Sequence, residues 1–458
     1  FTRNFHLPSE NMLKLFDRMS HATRTMVVRG KRLLSCETLA QRLRAVRKEK
    51  GLKARQLSLM AGLSPSVVQM IEDEHRMPGI DTVEKLALAL QTSKAWLGFG
   101  EGPRHRQEVS FAIAPGFDPM KMSSELAALL NGPGGQIEQS YKYLDTVDAV
   151  QWCALLQQTR YSLLMEQRPL AEIASVTEQF LGRGGCDLIA LGAGAGAQET
   201  RLVTSLLETG YRDLRLFLLD VSQPLLAVAC KQATEVLTGE HSIPITAVLG
   251  NFFQLPSYEP LFQTSHRRRR LLCMLGYTFG NLDNEVSFVR NGLTGAEVGD
   301  LLLLDAGVAK ASADDAAQIR ASEPVFGKKR SPELMRQLQQ QEVFNIGPLL
   351  RYRRDIAEYE YSYVPDTASC VVPGSYAIRM RASVTLHNGE KRLFSLGMIK
   401  RYSPQPLLAQ MEQDGWKSER VWYYGDGGNM ICLLRRVGDV TSRAVAARRP
   451  ACTAAVSA

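Results

Sequence analysis

A short apolar run, Asp187-Leu188-Ile189-Ala190-Leu191, leads straight into Gly192-Ala193-Gly194-Ala195-Gly196 and then into helical text. A run of this length bounded by glycines reads as a buried strand. The glycines let the backbone turn tightly and pass close to a ligand, and a helix opening there adds partial positive charge. Four further runs of the same kind follow, at residues 214–220, 245–249, 271–275 and 301–305. Strands alternating with helical stretches predict a parallel, Rossmann-like α/β sheet. Asp220 ends the second run, 24 residues after Gly196, where a carboxylate can accept both ribose hydroxyl protons of a nucleoside. Asn251, just after the third run, falls where an adenine would lie, and its amide oxygen can accept a hydrogen bond. The competing reading is a tight strand–helix turn with a capping Asp. The glycine spacing alone would equally suit a dinucleotide.

The N-terminal quarter has a different style. Residues 1–106 hold 19 Lys+Arg against 10 Asp+Glu, whereas the remainder is nearly balanced. A concentrated basic excess points to a polyanion partner or to a basic solvated surface. Leu39, Leu43 and Val46 fall on one helix face, and Gly51 stops that helix. Two short helices are then expected to meet at Gly62, where the turn requires positive φ. Ser64 is placed to cap the second of them and Pro65 to occupy its first position. Leu57, Met60, Leu63, Val68 and Ile71 would hold the pair together. Ser64, Ser66, Val67 and Gln69 would then face a major groove, with Gln69 reading an adenine edge. Arg44, Lys53, Arg55 and Arg76 would contact phosphates.

This stretch, about residues 37–98, resembles the Cro/phage-repressor-like (XRE-type) helix-turn-helix family. It departs from that family in having Ala54 where Gln is frequent and in the acidic Glu72-Asp73-Glu74 after the recognition helix. A degenerate helical dimerisation domain is the alternative.

Residues 140–436 resemble the histidine-specific methyltransferase family of the ergothioneine pathway. The resemblance is carried by Tyr143-Leu144-Asp145, Thr159-Arg160-Tyr161, the glycine loop, Leu219-Asp220-Val221-Ser222 and Gly250-Asn251-Phe252. It continues in Gly276-Tyr277-Thr278-Phe279-Gly280-Asn281 and Lys400-Arg401-Tyr402-Ser403. It implies S-adenosyl-L-methionine as cofactor, bound by Gly192, Gly194, Gly196, Asp220 and Asn251. It further implies that Asn281, Tyr161 and Tyr143 face the acceptor, the family's first such tyrosine aligning with Leu144 unless Tyr143 stands in for it. Gly397 and Ile399 occupy the places of the family's histidine-binding Glu and Ser, so an imidazole pocket is not expected. No residue stands out as a catalytic base.

The expected architecture is therefore an α/β, Rossmann-like methyltransferase domain with an added α+β subdomain, preceded by a small all-α helix-turn-helix domain. The expected division is an arm (1–36), the helix-turn-helix domain (37–100), a linker and helical segment (101–139), the methyltransferase domain (140–436, core about 180–310, substrate subdomain about 311–436) and a flexible tail (437–458). Expected partners are a small-molecule acceptor, double-stranded DNA and a second copy of the chain. The chain begins with Phe1, so its true start is expected to precede it. With no signal peptide, no membrane-length apolar run and eight cysteines lacking metal-site spacing, a cytoplasmic protein with reduced thiols and no metal is expected. The alternative function is a transcription regulator whose methyltransferase-like domain senses S-adenosylmethionine or another ligand without turnover.

Overall fold

The computed structural model describes residues 38–90, 92–100, 109–182, 184–238, 241–262, 268–310, 315–326 and 330–438. It forms two units, Phe1–Arg104 and His105–Ala458. The expected arm and nearly all of the expected tail lie outside the described residues, as do Cys36 and Cys452.

The first unit is a bundle of short helices: α1 (Leu39–Glu49), α2 (Ala54–Met60), α3 (Val67–Glu72), α4 (Ile80–Ala89) and α5 (Lys94–Phe99). Thr38 and Gln41 form a reciprocal capping box at the start of α1, which satisfies backbone donors left free at a helix N-terminus. Leu43, Leu57, Val68, Ile71, Leu86 and Leu97 make the core. Gly51 and Gly62 both adopt positive φ, as the turns require. Phe99 closes α5, which stops at left-handed Gly100, the last residue of the expected helix-turn-helix domain.

The second unit is built on one sheet. Its strands are β1 (Val109–Ile113), β2 (Gly135–Gln136), β3 (Cys186–Leu191), β4 (Leu214–Asp220), β5 (Ile245–Leu249), β6 (Arg269–Met274), β7 (Leu301–Val308), β8 (Ile356–Asp366), β9 (Tyr376–Leu386), β10 (Lys391–Tyr402), β11 (Trp416–Tyr424) and β12 (Asn429–Arg436). The main path runs β1-β5-β4-β3-β6-β7-β10-β9-β8. β3 to β7 are parallel, and the β11–β12 hairpin adds β12 antiparallel to β7. Leu188, Ala190, Leu216 and Leu218 enter the core on one face, and Ile189, Leu191, Phe217 and Leu219 on the other. Burial on both faces is why these strands read as unbroken apolar runs. The chain winds outward from β3 through β4 to β5, then returns beside β3 as β6. In such a sheet, the crevice at the strand C-termini beside this reversal is where ligands bind.

The expected linker and helical segment, 101–139, does carry a helix, and its described residues, 109–139, are built into the second unit. β1 pairs in parallel with β5 along its whole length. Leu126 and Leu130 of the helix α6 (Pro119–Asn131) pack with Met380, Val384 and Phe394 of the added β8–β10 sheet. The remaining helices that matter to the site are α7 (Thr146–Leu156), α8 (Thr159–Glu166), α9 (Leu170–Leu181), α10 (Ala197–Glu208), α11 (Gln223–Val236), α12 (Pro332–Tyr352) and α13 (Pro404–Gln413). Among the described residues, no helix is long and apolar enough to cross a membrane.

Candidate functional site

The glycine loop turns back over the end of β4. Gly192, Gly194 and Gly196 have φ of +73°, +54° and +71°, and the N–H groups of Gly192 and Ala193 both donate to Leu219 O, at 2.9 and 3.1 Å. A Cβ on Gly192 would stand 3.1 Å from Thr278 and 3.4 Å from Phe252, so the loops after β3, β5 and β6 meet there. Gly196 has a packing reason of its own, since a Cβ would come within 2.8 Å of Ala229 on α11.

Asp220 ends β4 and is 7% exposed. Its Oδ2 accepts Gly194 N–H at 2.8 Å and its Oδ1 accepts Ser222 N–H at 2.9 Å. Burial pushes its pKa up, and these backbone donors pull the other way. Each oxygen keeps a lone pair for a further donor. Asn251 Oδ1 already accepts Phe253 N–H at 3.0 Å, capping a 3₁₀ turn, which leaves it one acceptor position. Phe252 and Phe253 stack at 5.0 Å and form an apolar wall beside the glycines.

An aromatic triangle closes the other side. Tyr143 lies 5.5 Å from Trp152 and 5.4 Å from Phe344, and Trp152 lies 5.5 Å from Phe344. The Trp152 Nε1 is 3.7 Å from where a Gly194 Cβ would stand. Burial drives the Tyr143 phenol pKa up, helped by the charges of Asp220 and Tyr161. Tyr161, on α8, also acts electrostatically on Tyr363 of β8. Leu144 packs instead into the core under the added sheet, so of the two adjacent candidates it is Tyr143 that joins the cluster.

The loop after β6 is braced from below. Asp305 of β7 accepts Gly276 N–H at 3.0 Å and Tyr424 O–H at 2.7 Å, and it pairs with the fully buried Arg168. Tyr277 adopts φ +65°, a conformation disfavoured for a bulky side chain and held only where the surroundings impose it. Arg168 sits over its ring. From β10, Tyr402 O–H donates to Phe279 O at 3.3 Å. Lys400 donates to Asp283 O at 2.9 Å and forms a buried ion pair with Glu285. Asn281 lies half-buried at the end of this braced turn, Thr278–Asn281. The structure thus gathers Gly192, Gly194, Asp220, Asn251 and Thr278 at one end of the parallel sheet, with Asn281 closing the Thr278 turn and Tyr143 behind Trp152.

In the first unit, three expectations are corrected. The recognition helix α3 starts at Val67, not beside Ser64. Ser66 is its N-cap without a side-chain bond, and Ser58 Oγ accepts the Val68 N–H instead, at 3.1 Å. Val67 is consequently 5% exposed and belongs to the core, not to a groove-facing surface. Met60, expected in that core, is 58% exposed. Ser64, Ser66, Gln69, Lys53, Arg55 and Arg76 are exposed, with Gln69 Nε2 donating to Asp73 Oδ2 at 2.7 Å. Arg44 is bound to Glu72 and Asp73, at 3.3 and 3.1 Å. Glu72 is therefore no surface acid: it is buried and pairs with Arg47 at 2.6 Å.

Comparison with known families agrees with both halves. Residues 43–97 match the model of the helix-turn-helix family, and residues 156–319 match that of the histidine-specific, SAM-dependent methyltransferases. The chain joins a helix-turn-helix domain to an S-adenosylmethionine-dependent methyltransferase. No curated protein matches it. Among solved structures, a Clostridium acetobutylicum S-adenosylmethionine-dependent methyltransferase is 10% identical, with 63% of this chain and 98% of that chain covered and a TM-score of 0.33. The Burkholderia thailandensis 1,6-didemethyltoxoflavin-N1-methyltransferase is 10% identical over 66% and 92% of the two chains, with a TM-score of 0.33. The P22 c2 repressor protein is 28% identical over 14% of this chain and 98% of its own, with a TM-score of 0.14.

The methyltransferase-family match ends short of both Tyr143 and the Lys400–Tyr402 strand, which the structure nonetheless places at the site. The residues present suit the cofactor. Asp220 is a buried carboxylate whose hydrogen-bond donors are backbone N–H groups, one of them from Gly194 of the glycine loop itself. Sequence reasoning missed Trp152, Phe344 and the Arg168–Asp305–Tyr424 network. Each is assembled from elements distant in the chain, so no local pattern marks them. Among the described residues, no cluster of His, Cys, Asp or Glu could hold a metal.

Proposed function

We propose that the methyltransferase domain transfers a methyl group to nitrogen, oxygen or sulfur of a small amino-acid-like acceptor held by Tyr143, Tyr161 and Asn281. The cofactor is bound by Gly192, Gly194, Asp220 and Asn251, with Gly196 setting the helix that opens behind them. The observation that carries this reading is the Tyr143–Trp152–Phe344 triangle set against the Gly194 turn. It walls one side of the cofactor loop with rings that exclude water and fix the acceptor's approach. S-adenosylmethionine supplies a methyl carbon already activated by the sulfonium. What remains for the protein is to align the acceptor behind that carbon and keep it dehydrated. The braced Gly276–Asn281 loop offers a rigid edge for that alignment.

The helix-turn-helix domain, in this reading, holds a homodimer on double-stranded DNA in the cytoplasm, with half-sites set by the two-fold. Gln69 reads a base edge once released from Asp73, flanked by Ser64 and Ser66, while Lys53, Arg55 and Arg76 meet phosphates.

Calorimetric titration with S-adenosylmethionine, beside the same titration of Asp220→Ala, tests the cofactor site. Micromolar binding lost in the variant supports it, and no binding to the folded parent overturns it. Binding without S-adenosylhomocysteine formation across amines, carboxylates and thiols would replace the enzyme reading with that of a ligand-sensing regulator.

A further inference from the structure

Lys142 is 1% exposed. Its ammonium donates to Asn345 Oδ1 at 2.5 Å, which is a neutral carbonyl. The carboxylate that acts on it through space is Asp148, and that group is ion-paired with Arg351. A buried cation without its own counter-ion is unfavourable unless a ligand supplies one.

Its surroundings point the same way. β10 bulges between Ser395 and Gly397. A Cβ on Gly397 would stand 2.7 Å from Lys142 Nζ and 2.2 Å from Gln139 Oε1. The glycine thus makes room for both polar ends in the volume a side chain would fill. Gln139 Oε1 is buried without a hydrogen-bond donor, while its Nε2 donates to the Tyr143 hydroxyl at 3.4 Å. That bond links the pair to the aromatic triangle beside the cofactor loop. Position 397 is where the family resemblance implies an acidic, imidazole-binding residue, and here a cation occupies the space instead.

We infer that the methyl acceptor carries an anionic group, a side-chain carboxylate in the simplest case, which Lys142 receives at the Gly397 bulge. The inference rests on the methyltransferase reading above and names its substrate class. Burial holds the Lys142 pKa down at about 7, so an arriving anion restores the charge that burial penalises. Gln139 Oε1 offers an acceptor to a donor on the same ligand.

The test is calorimetry on the full chain saturated with S-adenosylhomocysteine, titrated with L-glutamate, L-aspartate, L-glutamine, L-asparagine and L-histidine. One of the two acids should bind about tenfold or more tightly than its own amide, the scale of a charge-assisted hydrogen bond. Lys142→Met and Lys142→Gln should each bring that ratio to about threefold or less, with S-adenosylhomocysteine affinity changed by less than about twofold. The second variant guards against a packing artefact of the first. Equal binding of an amide or of histidine overturns the inference. So does a preference that survives both variants, or no binding by any of the five. Failure of S-adenosylhomocysteine itself to bind is a separate outcome and overturns the methyltransferase reading underneath.

Discussion

Replacing Lys142 with Met should stabilise the protein in acid and destabilise it in base. Burial lowers the lysine from 10.5 to about 7. The unfolded chain therefore holds more protons than the folded one between those values, and wild-type stability rises with pH across that window. Below pH 7 the folded protein carries the whole penalty. At about 1.4 kcal/mol per pH unit, the gap amounts to about 5 kcal/mol. Lys142→Met removes it but leaves Asn345 Oδ1 without its donor, which costs about 2 kcal/mol at every pH. The variant should thus be more stable by about 3 kcal/mol at pH 6, equal near pH 9, where about 2 kcal/mol of penalty remains, and less stable by about 2 kcal/mol above pH 10. Urea unfolding followed by tryptophan fluorescence reads this directly, because Trp152, Trp416 and Trp422 all lie in the methyltransferase unit. A difference that stays constant from pH 6 to pH 10, or a variant weaker than wild type at pH 6, would refute the reasoning.

In the helix-turn-helix domain, Glu72→Gln breaks the buried pair with Arg47 and should cost about 3 kcal/mol, read from the unfolding of that unit through Trp96. Gly196→Ala combines a left-handed backbone with the 2.8 Å approach to Ala229, whereas Gly427, at φ +73°, has open space around it. The first should lose about 2–4 kcal/mol and Gly427→Ala about 1 kcal/mol in the same denaturant assay, and equal losses would argue against the α10–α11 packing role. Arg55→Ala should weaken DNA binding about equally across sequences and reduce the salt slope by about one in a fluorescence-anisotropy titration; a sequence-selective loss would place Arg55 at a base instead.

What the sequence disclosed and what it hid divide along one physical line. The strands from 186 to 308 were legible because each is buried on both faces, so local composition carries the whole signal. β1 was not, because its side chains are largely exposed and only its pairing with β5 makes it a strand. The cofactor end was legible for a similar reason, its glycines and Asp220 lying at fixed offsets within one βαβ unit. α3 shows how narrow the margin is. Ser58 of α2 takes the Val68 N–H, and Val67 packs beside Val68, Ile71 and Leu57, so the contacts between helices, absent from the local pattern, put Val67 in the core. Of the proposed acceptor end, Tyr143, Tyr161 and Asn281 were readable only through the family resemblance, while Trp152 and Phe344, like the Lys142–Asn345 bond, were not, because each joins elements distant in the chain. Position 397 makes the distinction concrete. As text it was only the absence of an acid, which reads as a pocket unmade. In three dimensions the same glycine leaves space for Lys142 Nζ from elsewhere in the chain, the observation on which the proposed anion-receiving pocket rests.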